Sequence, residues 1–198
     1  KAFALLICLA LLISFPLSTA AVSIDSEATA VRPKLTQNQI NIAARGDYMY
    51  GLTWVCQKTV SIHSYSWYHT FYAGETHRMP YGQGSTSYYI GYGVTPENFL
   101  KAAADVNSIF YTQKSYAGSW YSTYYIQDCS GFVSWCWGLT AKQSTRSLAN
   151  VSSYIASITT NNIKNYLQIG DAINRYDYHV VLVTDITYDS AGNMTAIE

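Results

Sequence analysis

The pattern of apolar residues changes along the chain, and this change is the strongest constraint on its fold. Thr36 and Thr95 each precede a segment with helix-start signals. From Gly170 onwards the chain is rich in β-branched residues and is divided by a turn at Asp189 to Gly192. Chains whose helices precede their strands fold as α+β domains rather than as alternating layers. We therefore expect N-terminal helices packed on a C-terminal antiparallel sheet.

Length and composition fit one globular domain. The chain has 198 residues, of which 49% are apolar and 12% charged, and its formal net charge is zero. This composition supports a single buried core. A neutral chain has no basic surface for nucleic acid or for anionic lipid, so we expect neither as a partner.

The first 21 residues are typical of a secretory signal peptide. The apolar run from Ala2 to Leu17 follows one basic residue and is followed by the small residues Ser18 to Ala21. A transmembrane anchor is the alternative, but the run is short for a bilayer and Pro16 interrupts it. We expect a signal peptide over residues 1–21, a linker over residues 22–35 and a secreted domain from residue 36 that has no membrane contact.

Capping signals predict the helices. Thr36 is a candidate N-cap for a helix to about Leu52, with an apolar face formed by Ile40, Ala43 and Ala44.

A second helix is predicted after Thr95, because Pro96 suits the first helical position. Another is predicted over about Ser147 to Ile158. The aromatic, Gly- and Ser-containing stretch from Thr53 to Gly93 predicts a loop with short extended pieces.

Strands are predicted over residues 171–175, over a β-branched run at residues 178–188 and over residues 193–198. The chain stops at Glu198 within the last predicted strand, so we expect the domain to continue beyond it.

The stretch DCSGFVSWCWGL, residues 128–139, carries the candidate nucleophile. Asp128 is a good N-cap, which places Cys129 in the first turn of a helix, where the dipole and unpaired backbone N–H groups favour the thiolate. Ser130 and Gly131 are small, and we expect them to leave room for a substrate carbonyl beside a backbone N–H that binds the oxyanion.

Cys136 is interpreted differently, because it shares the apolar face of this helix with Phe132 and Val133. A free cysteine is among the most buried residue types, so we expect Cys136 to be a core residue. Two helical turns separate it from Cys129, about 10 Å, which is too far for a disulfide. The sequence leaves open whether Cys56 and Cys136 form one.

A thiol nucleophile needs a base, and His179 is the best candidate among the four histidines. It begins the run VVLV on a predicted central strand, where an imidazole can project from one end of the sheet. His63 and His69 are interpreted as solvated loop residues, and His77 has only a weak case. The spacing of the histidines fits no zinc site, so we expect no metal or cofactor.

The candidate for the residue that orients His179 is Glu198. If the hairpin register sets Glu198 opposite Val181, it lies diagonal to His179 at roughly 7 Å. If Glu198 instead falls opposite Val183, the contact is lost. Asp185 lies six residues along the same predicted strand, roughly 20 Å away, and is excluded.

These motifs resemble those of the NlpC-type papain-like cell-wall cysteine peptidases. DCSGFVSW is similar to their nucleophile motif, and Gly170–Ala172 followed by His179–Val183 resembles their second motif. MPYGQG resembles their proline-tyrosine segment, which implies that Tyr81 is a neighbour of Cys129, although the segment between the two is much longer than the family usually shows. A closing glutamate resembles the related CHAP (cysteine, histidine-dependent amidohydrolase/peptidase) group and implies Glu198 as the acid.

The resemblance covers the chain from about residue 36 to its end and implies a papain-like fold. It implies a bacterial, secreted or wall-associated cysteine hydrolase that cleaves amide bonds of peptidoglycan, within the stem peptide or between it and the glycan. Two other functions stay open: a non-catalytic module whose aromatic residues stack on wall sugars, and an acyltransferase or transpeptidase. The implied catalytic residues are Cys129, His179 and Glu198, with Ser130 and Tyr81 beside the oxyanion and substrate.

Overall fold

A computed structural model describes residues 34–64, 67–82, 95–112, 125 and 127–198. The predicted signal peptide and all but the last two residues of the predicted linker lie outside these ranges. Within them the chain is α+β, as predicted, with five α-helices and eight short strands that pair antiparallel in twos. None of the helices in the described ranges has the length and apolarity that crossing a membrane requires.

The helices are α1 (Gln37–Gly51), α2 (Pro96–Ala104), α3 (Ile109–Thr112), α4 (Cys129–Cys136) and α5 (Ile163–Tyr166). The strands are β1 (Thr53–Val55), β2 (Val60–Ser64), β3 (Trp67–Phe71), β4 (Thr76–Arg78), β5 (Ala172–Arg175), β6 (His179–Leu182), β7 (Ile186–Tyr188) and β8 (Met194–Ile197).

Helix α1 begins at its predicted cap. The Thr36 hydroxyl accepts from the backbone N–H of Gln39 at 3.2 Å, and the Gln39 side chain accepts from the backbone N–H of Thr36 at 2.9 Å. This reciprocal pair satisfies two N–H groups that a helix start leaves unpaired. The predicted apolar face was wrong, since Ile40 is exposed. The buried positions, spaced by four and three residues, are Ile42, Gly46 and Met49.

The region from β1 to α3 is built around aromatic side chains. Strand β1 pairs with β4, and β2 pairs with β3. The extended pieces expected between Thr53 and Gly93 are therefore paired strands, and strands precede helices α2 to α5, contrary to the predicted order. The buried residues of this region, here called the aromatic cluster, are Leu52, Trp54, Cys56, Val60, Ile62, Phe71, Phe99, Ala102, Ala103, Phe110 and Tyr111.

Helix α2 confirms the second capping prediction. Pro96 occupies the first turn, and the Thr95 hydroxyl accepts from the backbone N–H of Asn98 at 3.2 Å. The Phe99 side chain belongs to the aromatic cluster. Its ring packs edge-on against that of Trp54, with 5.3 Å between the ring centroids. Edge-to-face pairs of this kind add to the stabilisation that burial gives.

Helix α4 packs on the hairpin of β5 and β6. The hairpin is antiparallel, with Ala172 opposite Leu182 and Arg175 opposite His179, and β5 is the predicted strand. Alternate residues of β6 are buried, which is the pattern of a strand with one face covered. The buried core between α1, α4 and β6, here called the helix–sheet cluster, consists of Ile42, Val133, Cys136, Leu148, Val180 and Leu182.

The long strand predicted over residues 178–188 is interrupted in the structure. Strand β6 ends at Leu182, and β7 starts at Ile186 and pairs with β8. The turn between β7 and β8 is the predicted one, because Gly192 donates to the carbonyl of Asp189 at 3.0 Å. Gly192 has a φ of 82°, a conformation that glycine adopts without strain.

The helix predicted over about Ser147 to Ile158 was wrong. Only a 3₁₀ turn forms there, over Leu148–Asn150, and Ser147 makes no side-chain cap to its start. The following residues are rich in Ser and β-branched types, which lose side-chain freedom or compete for backbone hydrogen bonds in a helix. Without a cap or a packed face, nothing offsets that cost.

Candidate active site

The first turn of α4 is held by Asp128, the predicted N-cap. One carboxylate oxygen accepts from the backbone N–H of Gly131 at 2.7 Å. The other pairs with the Lys142 ammonium at 2.5 Å. The Lys142 and Asp128 side chains are only 10% and 17% exposed, so this ion pair is largely shielded from water. Loss of either partner leaves a buried charge uncompensated, which makes both groups necessary to the helix start.

The C-terminal end of α4 is satisfied in the complementary way. The Arg45 guanidinium donates to the carbonyl of Cys136 at 2.7 Å. Gly138, predicted as the stop, has a φ of 68°, and Leu139 donates to the carbonyl of Ser134 at 3.0 Å. These contacts form a Schellman-type ending. An acid at the start and a cation at the end both complement the helix dipole.

The two cysteines of α4 are free thiols in different surroundings. Cys129 is half-buried at the edge of the helix–sheet cluster, whereas Cys136 is completely buried within it. Burial raises the pKa of Cys136 to about 12, and the charge of Arg45 offsets only part of that effect. Cys136 is therefore a neutral core residue near neutral pH, as predicted. Cys56 is also a free thiol, buried in the aromatic cluster.

Tyr81 is brought to the start of α4 by its backbone. It forms a parallel β-bridge with Gln127. Gly82 donates to the carbonyl of Gln127 at 2.9 Å, and Gln127 donates to the carbonyl of Pro80 at 3.2 Å. Cys129 is two residues after Gln127, so the bridge sets the tyrosine beside the thiol despite the long segment that separates them in sequence.

The hydroxyl of Tyr81 contacts both the thiol and the backbone of Cys129. The side chain as a whole is 56% exposed, but its hydroxyl end is desolvated. Burial first, then the charge of the Cys129 thiolate and a hydrogen bond to it, raise the pKa of Tyr81 to about 12; the negative charge of Asp128 adds to this rise. Tyr81 is therefore a protonated phenol, able to donate a hydrogen bond, at any pH near neutrality.

The small size of Ser130 and Gly131 has a packing role at this turn. Both are buried, and the Ser130 hydroxyl donates to Asp128 at 3.1 Å. A Cβ on Gly131 would lie 2.8 Å from the side-chain oxygen of Gln127 and 3.5 Å from Cε of Lys142. Small residues are needed here because other protein side chains pack against this turn. The Ser130 hydroxyl thus supports the helix start, and its place beside the oxyanion and substrate stays a prediction.

His179 occupies the first position of β6 and is exposed. The buried neighbours Val180 and Leu182 face α4, so His179 and Val181 project from the other side of the strand. Among the described residues, no hydrogen bond or ion pair joins His179 to Cys129. The structure brings Cys129 and Tyr81 together but leaves His179 out of direct contact with them.

The directions of α4 and β6 nevertheless relate Cys129 to His179. The Trp137 indole, just past the end of α4, donates to the carbonyl of Gly170 at 2.9 Å. Gly170 in turn donates to the carbonyl of Val183, just past the end of β6, at 2.8 Å. The two elements therefore end at the same side, and both are about 10 Å long. Their first residues, Cys129 and His179, lie toward the opposite side.

Glu198 does not lie diagonal to His179, as the predicted register required. Its backbone N–H donates to the carbonyl of Asp185 at 3.0 Å, and its carbonyl accepts from Thr184 at 2.8 Å. Thr184 is five residues beyond His179 along a chain that is extended as far as Val183, about 16 Å at 3.3 Å per residue. The prediction failed because β6 and β7 are separate strands, and β8 pairs with β7 rather than with β6.

The other described histidines belong to the aromatic region. His69 lies on β3 rather than in a loop, which corrects that part of the prediction, but it is exposed as predicted. His77 lies on β4. The His77 ring packs against Trp54 at 5.5 Å between centroids. The side chain of His63 lies outside the described residues. In the part of the chain that the structure describes, no group of three His, Cys, Asp or Glu side chains is arranged to hold a metal ion.

Lys142 is the member of this site that the sequence analysis missed. It follows Asp128 by 14 residues, a spacing set by a loop rather than by a helix or strand period. One signal was available, because no charged residue occurs between Asp128 and Lys142. In a charge-poor chain, the first cation after a buried N-cap acid is a reasonable candidate partner.

Comparison with protein-family models, with curated proteins and with solved structures finds no match for this chain.

Proposed function

We propose that this chain is a cysteine hydrolase that cleaves amide bonds of bacterial peptidoglycan. The observation that carries the proposal is the position of Cys129, a half-buried thiol in the first turn of a helix capped by Asp128, with the hydroxyl of Tyr81 against it. Thiols at helix starts are favoured as thiolates by the dipole and by unpaired N–H groups.

A papain-like arrangement is part of the proposal. Helix α4, which carries Cys129, packs on an antiparallel hairpin whose second strand begins with His179. The two residues lie toward the same end of their elements. Catalytic hydrogen bonds are often long or absent before substrate binds, so the separation of Cys129 and His179 is compatible with a working pair. With Glu198 displaced, the proposed catalytic set is Cys129, His179 and Tyr81.

The proposed chemistry is acyl transfer through a thioester. The Cys129 thiolate attacks the amide carbonyl, and the oxyanion that forms accepts hydrogen bonds from the phenol of Tyr81 and the backbone N–H of Cys129. Protonated His179 gives its proton to the leaving amine as the C–N bond breaks. Neutral His179 then takes a proton from the water that attacks the thioester. Collapse of this second intermediate expels the Cys129 thiolate and releases the carboxylic acid, which gives its proton to solvent, so the thiolate and protonated His179 are restored.

The choice of peptidoglycan as substrate rests on the resemblance of the DCSGF and GD–HV motifs to those of cell-wall peptidases. The predicted signal peptide agrees with an extracellular substrate. The geometry of the site supports acyl transfer as the reaction class, and peptidoglycan amides are the substrates that the motifs favour.

The test is mass spectrometry of fragments released from purified peptidoglycan. We expect the mature protein to release fragments with new amine and carboxyl ends, and Cys129→Ala to release none. Cys136→Ala is the matched control, because it removes the other sulfur of α4, and it should retain activity if circular dichroism shows it folded. Release by Cys129→Ala at the wild-type rate would overturn the proposal.

A wall-binding module without catalysis is the second candidate, and exposed tyrosines favour it. Tyr50, Tyr176 and Tyr178 are 75%, 67% and 72% exposed. Arg78 lies over one face of the Tyr50 ring and Arg175 over one face of the Tyr178 ring, so the faces left for stacking on sugars are those of Tyr176 and the uncovered faces of the other two. In that case the protein would sediment with peptidoglycan but release nothing. An acyltransferase would instead join an added primary amine to the new acyl end, and the same mass spectra would show that product.

A further inference from the structure

A five-residue stretch after α4, Lys142–Arg146, is bonded both to the start of α4 and to the hairpin that carries His179. It is called the bridging segment below. Its two ends form ion pairs with acidic residues next to the proposed catalytic residues. Asp128 immediately precedes Cys129, and Asp177 lies two residues before His179.

The first end of the bridging segment is fastened to α4. Lys142 pairs with Asp128 in the shielded contact described above. The backbone N–H of Gln143 donates to the hydroxyl of Ser134 at 2.9 Å. That hydroxyl in turn donates to the carbonyl of Ser130 at 2.7 Å, one turn earlier in the helix. The segment is thus bound to the side of α4 as well as to its cap.

The second end is fastened to the β5–β6 hairpin. The side-chain amide of Asn174 donates to the carbonyl of Thr145 at 2.8 Å. The Arg146 guanidinium donates two hydrogen bonds of 2.6 Å to the carboxylate of Asp177. Asp177 is the middle residue of the hairpin turn and has a φ of 61°, a conformation that a non-glycine residue holds only at some cost. The guanidinium of Arg146 thus binds the hairpin turn at the residue whose backbone conformation is strained.

The short span of the bridging segment limits how far the two anchor points can separate. Four residue steps of at most about 3.6 Å place Cα of Lys142 within about 14 Å of Cα of Arg146. The separation of the helix start and the hairpin turn therefore stays limited while both ion pairs hold. Helix α4 also packs directly on β6, and the bridging segment adds polar links beside Cys129 and His179 to that apolar contact.

We propose that the bridging segment positions the nucleophile-bearing helix start relative to the histidine-bearing hairpin, with Lys142 and Arg146 as positioning residues for the proposed hydrolysis. The proposal rests on the function proposed above, because it takes Cys129 and His179 as the reacting pair. Lys142 acts through Asp128 on the first turn of α4. Arg146 acts through Asp177 on the turn that leads into His179.

Each cation holds one end of the same connection. Removing the charge of Lys142 frees the bridging segment from Asp128, and removing Arg146 frees it from Asp177. Either loss ends the constraint between the helix start and the hairpin turn, so Cys129 and His179 are no longer held in their proposed reactive arrangement. Both changes therefore slow reaction of Cys129 with an alkylating agent by the same route.

The experiment measures the rate at which iodoacetamide alkylates Cys129 at pH 7, by peptide mass spectrometry of the mature protein. We expect Lys142→Met and Arg146→Met each to lower the rate about tenfold. Lys142→Arg should stay within about twofold of wild type, because it keeps the cation. Lys58→Met, an exposed lysine in the aromatic region, is the matched control and should have no effect. Far-ultraviolet circular dichroism confirms that each variant is folded.

The double variant shows whether the two ion pairs act on Cys129 through one connection or independently. If the segment acts as a unit, Lys142→Met with Arg146→Met should be little slower than the slower single variant, whereas independent effects would multiply to about a hundredfold. Folded Met variants that alkylate within twofold of wild type would overturn the proposal, and so would a multiplicative double variant.

Alkylation does not depend on any substrate, so failure of this proposal is distinguishable from failure of the proposed function. A wild-type protein inert on peptidoglycan would contradict the hydrolase alone, and the alkylation rates would still decide the role of the segment. Active wild type with unaffected Met variants would contradict the segment alone.

Discussion

The aromatic region and the α4–β6 region each contain a cysteine and a histidine, but in opposite settings. Cys56 is 1% exposed and lies 3.1 Å from the carbonyl of Lys58. His77 is enclosed by aromatic rings, and its buried Nε2 atom lies 3.4 Å from the carboxylate of Glu75. Cys129 lies at a capped helix start, and His179 is exposed at a strand start. Residue type alone therefore does not distinguish a site from a core; position on an element end does.

The largest expected effect comes from comparing the two histidines. We expect His179→Ala to lower kcat for peptidoglycan hydrolysis by about 10² to 10⁴, the range typical of a lost general acid–base group. His77→Phe should leave hydrolysis unchanged, because His77 belongs to the aromatic region. Initial rates of fragment release measure both. Equal losses of kcat in the two variants would contradict the assignment of His179 to the active site and of His77 to the core of the aromatic region.

The next effect concerns Tyr81, the aromatic residue that contacts Cys129. We expect Tyr81→Phe to lower kcat by about 10², with little change in KM, because it removes one donor to the oxyanion. Since the pKa of Tyr81 is about 12, the loss should be the same at pH 6 and pH 9. Tyr72→Phe, an exposed tyrosine of the aromatic region, serves as the control. A loss confined to high pH would mean that Tyr81 acts by ionising instead.

A stability difference is expected between two glycines. Gly131→Ala places a Cβ 2.8 Å from the Gln127 side chain, so we expect it to lower the free energy of unfolding by about 1 to 3 kcal/mol. Gly51→Ala meets no atom within 4 Å and should be neutral or slightly stabilising. Urea denaturation of both variants gives the comparison. A neutral Gly131→Ala would show that the helix start tolerates crowding.

The smallest expected effect is on thermal stability, and it comes from replacing Arg146, whose partner Asp177 is on the surface. The hydrogen bonds from Arg146 hold the pKa of Asp177 below its usual range. A carboxyl whose pKa is lower in the folded state stabilises the fold above its unfolded pKa, and this contribution is lost as pH falls through the folded value. The thermal midpoint of Arg146→Met should therefore lie slightly below that of wild type at pH 7 and meet it at strongly acidic pH. A gap that widens in acid would contradict the assignment.

Local signals in the sequence predicted the helix starts correctly. Thr36, Thr95 and Asp128 each cap the helix that follows, because capping depends on residues within one turn. The assignment of Cys136 to the core succeeded for a similar reason, since its place on the apolar face follows from helical spacing.

Features that depend on distant residues could not be read in the same way. The error at Glu198 arose because a break at Val183–Asp185 and the pairing of β7 with β8 are set by tertiary packing. The partnership of Lys142 with Asp128 depends on a loop path that has no sequence period. The strands of the aromatic region are three to five residues long, too short to show a clear alternation.

Alkylation of the native protein tests the account of Cys129 most directly. At pH 7, limiting iodoacetamide followed by peptide mapping should label Cys129 preferentially, while Cys136, with a pKa of about 12, and Cys56 become labelled only after unfolding. Labelling of Cys136 or Cys56 in the folded protein as fast as Cys129, or no labelling of Cys129, would contradict its assignment as the nucleophile.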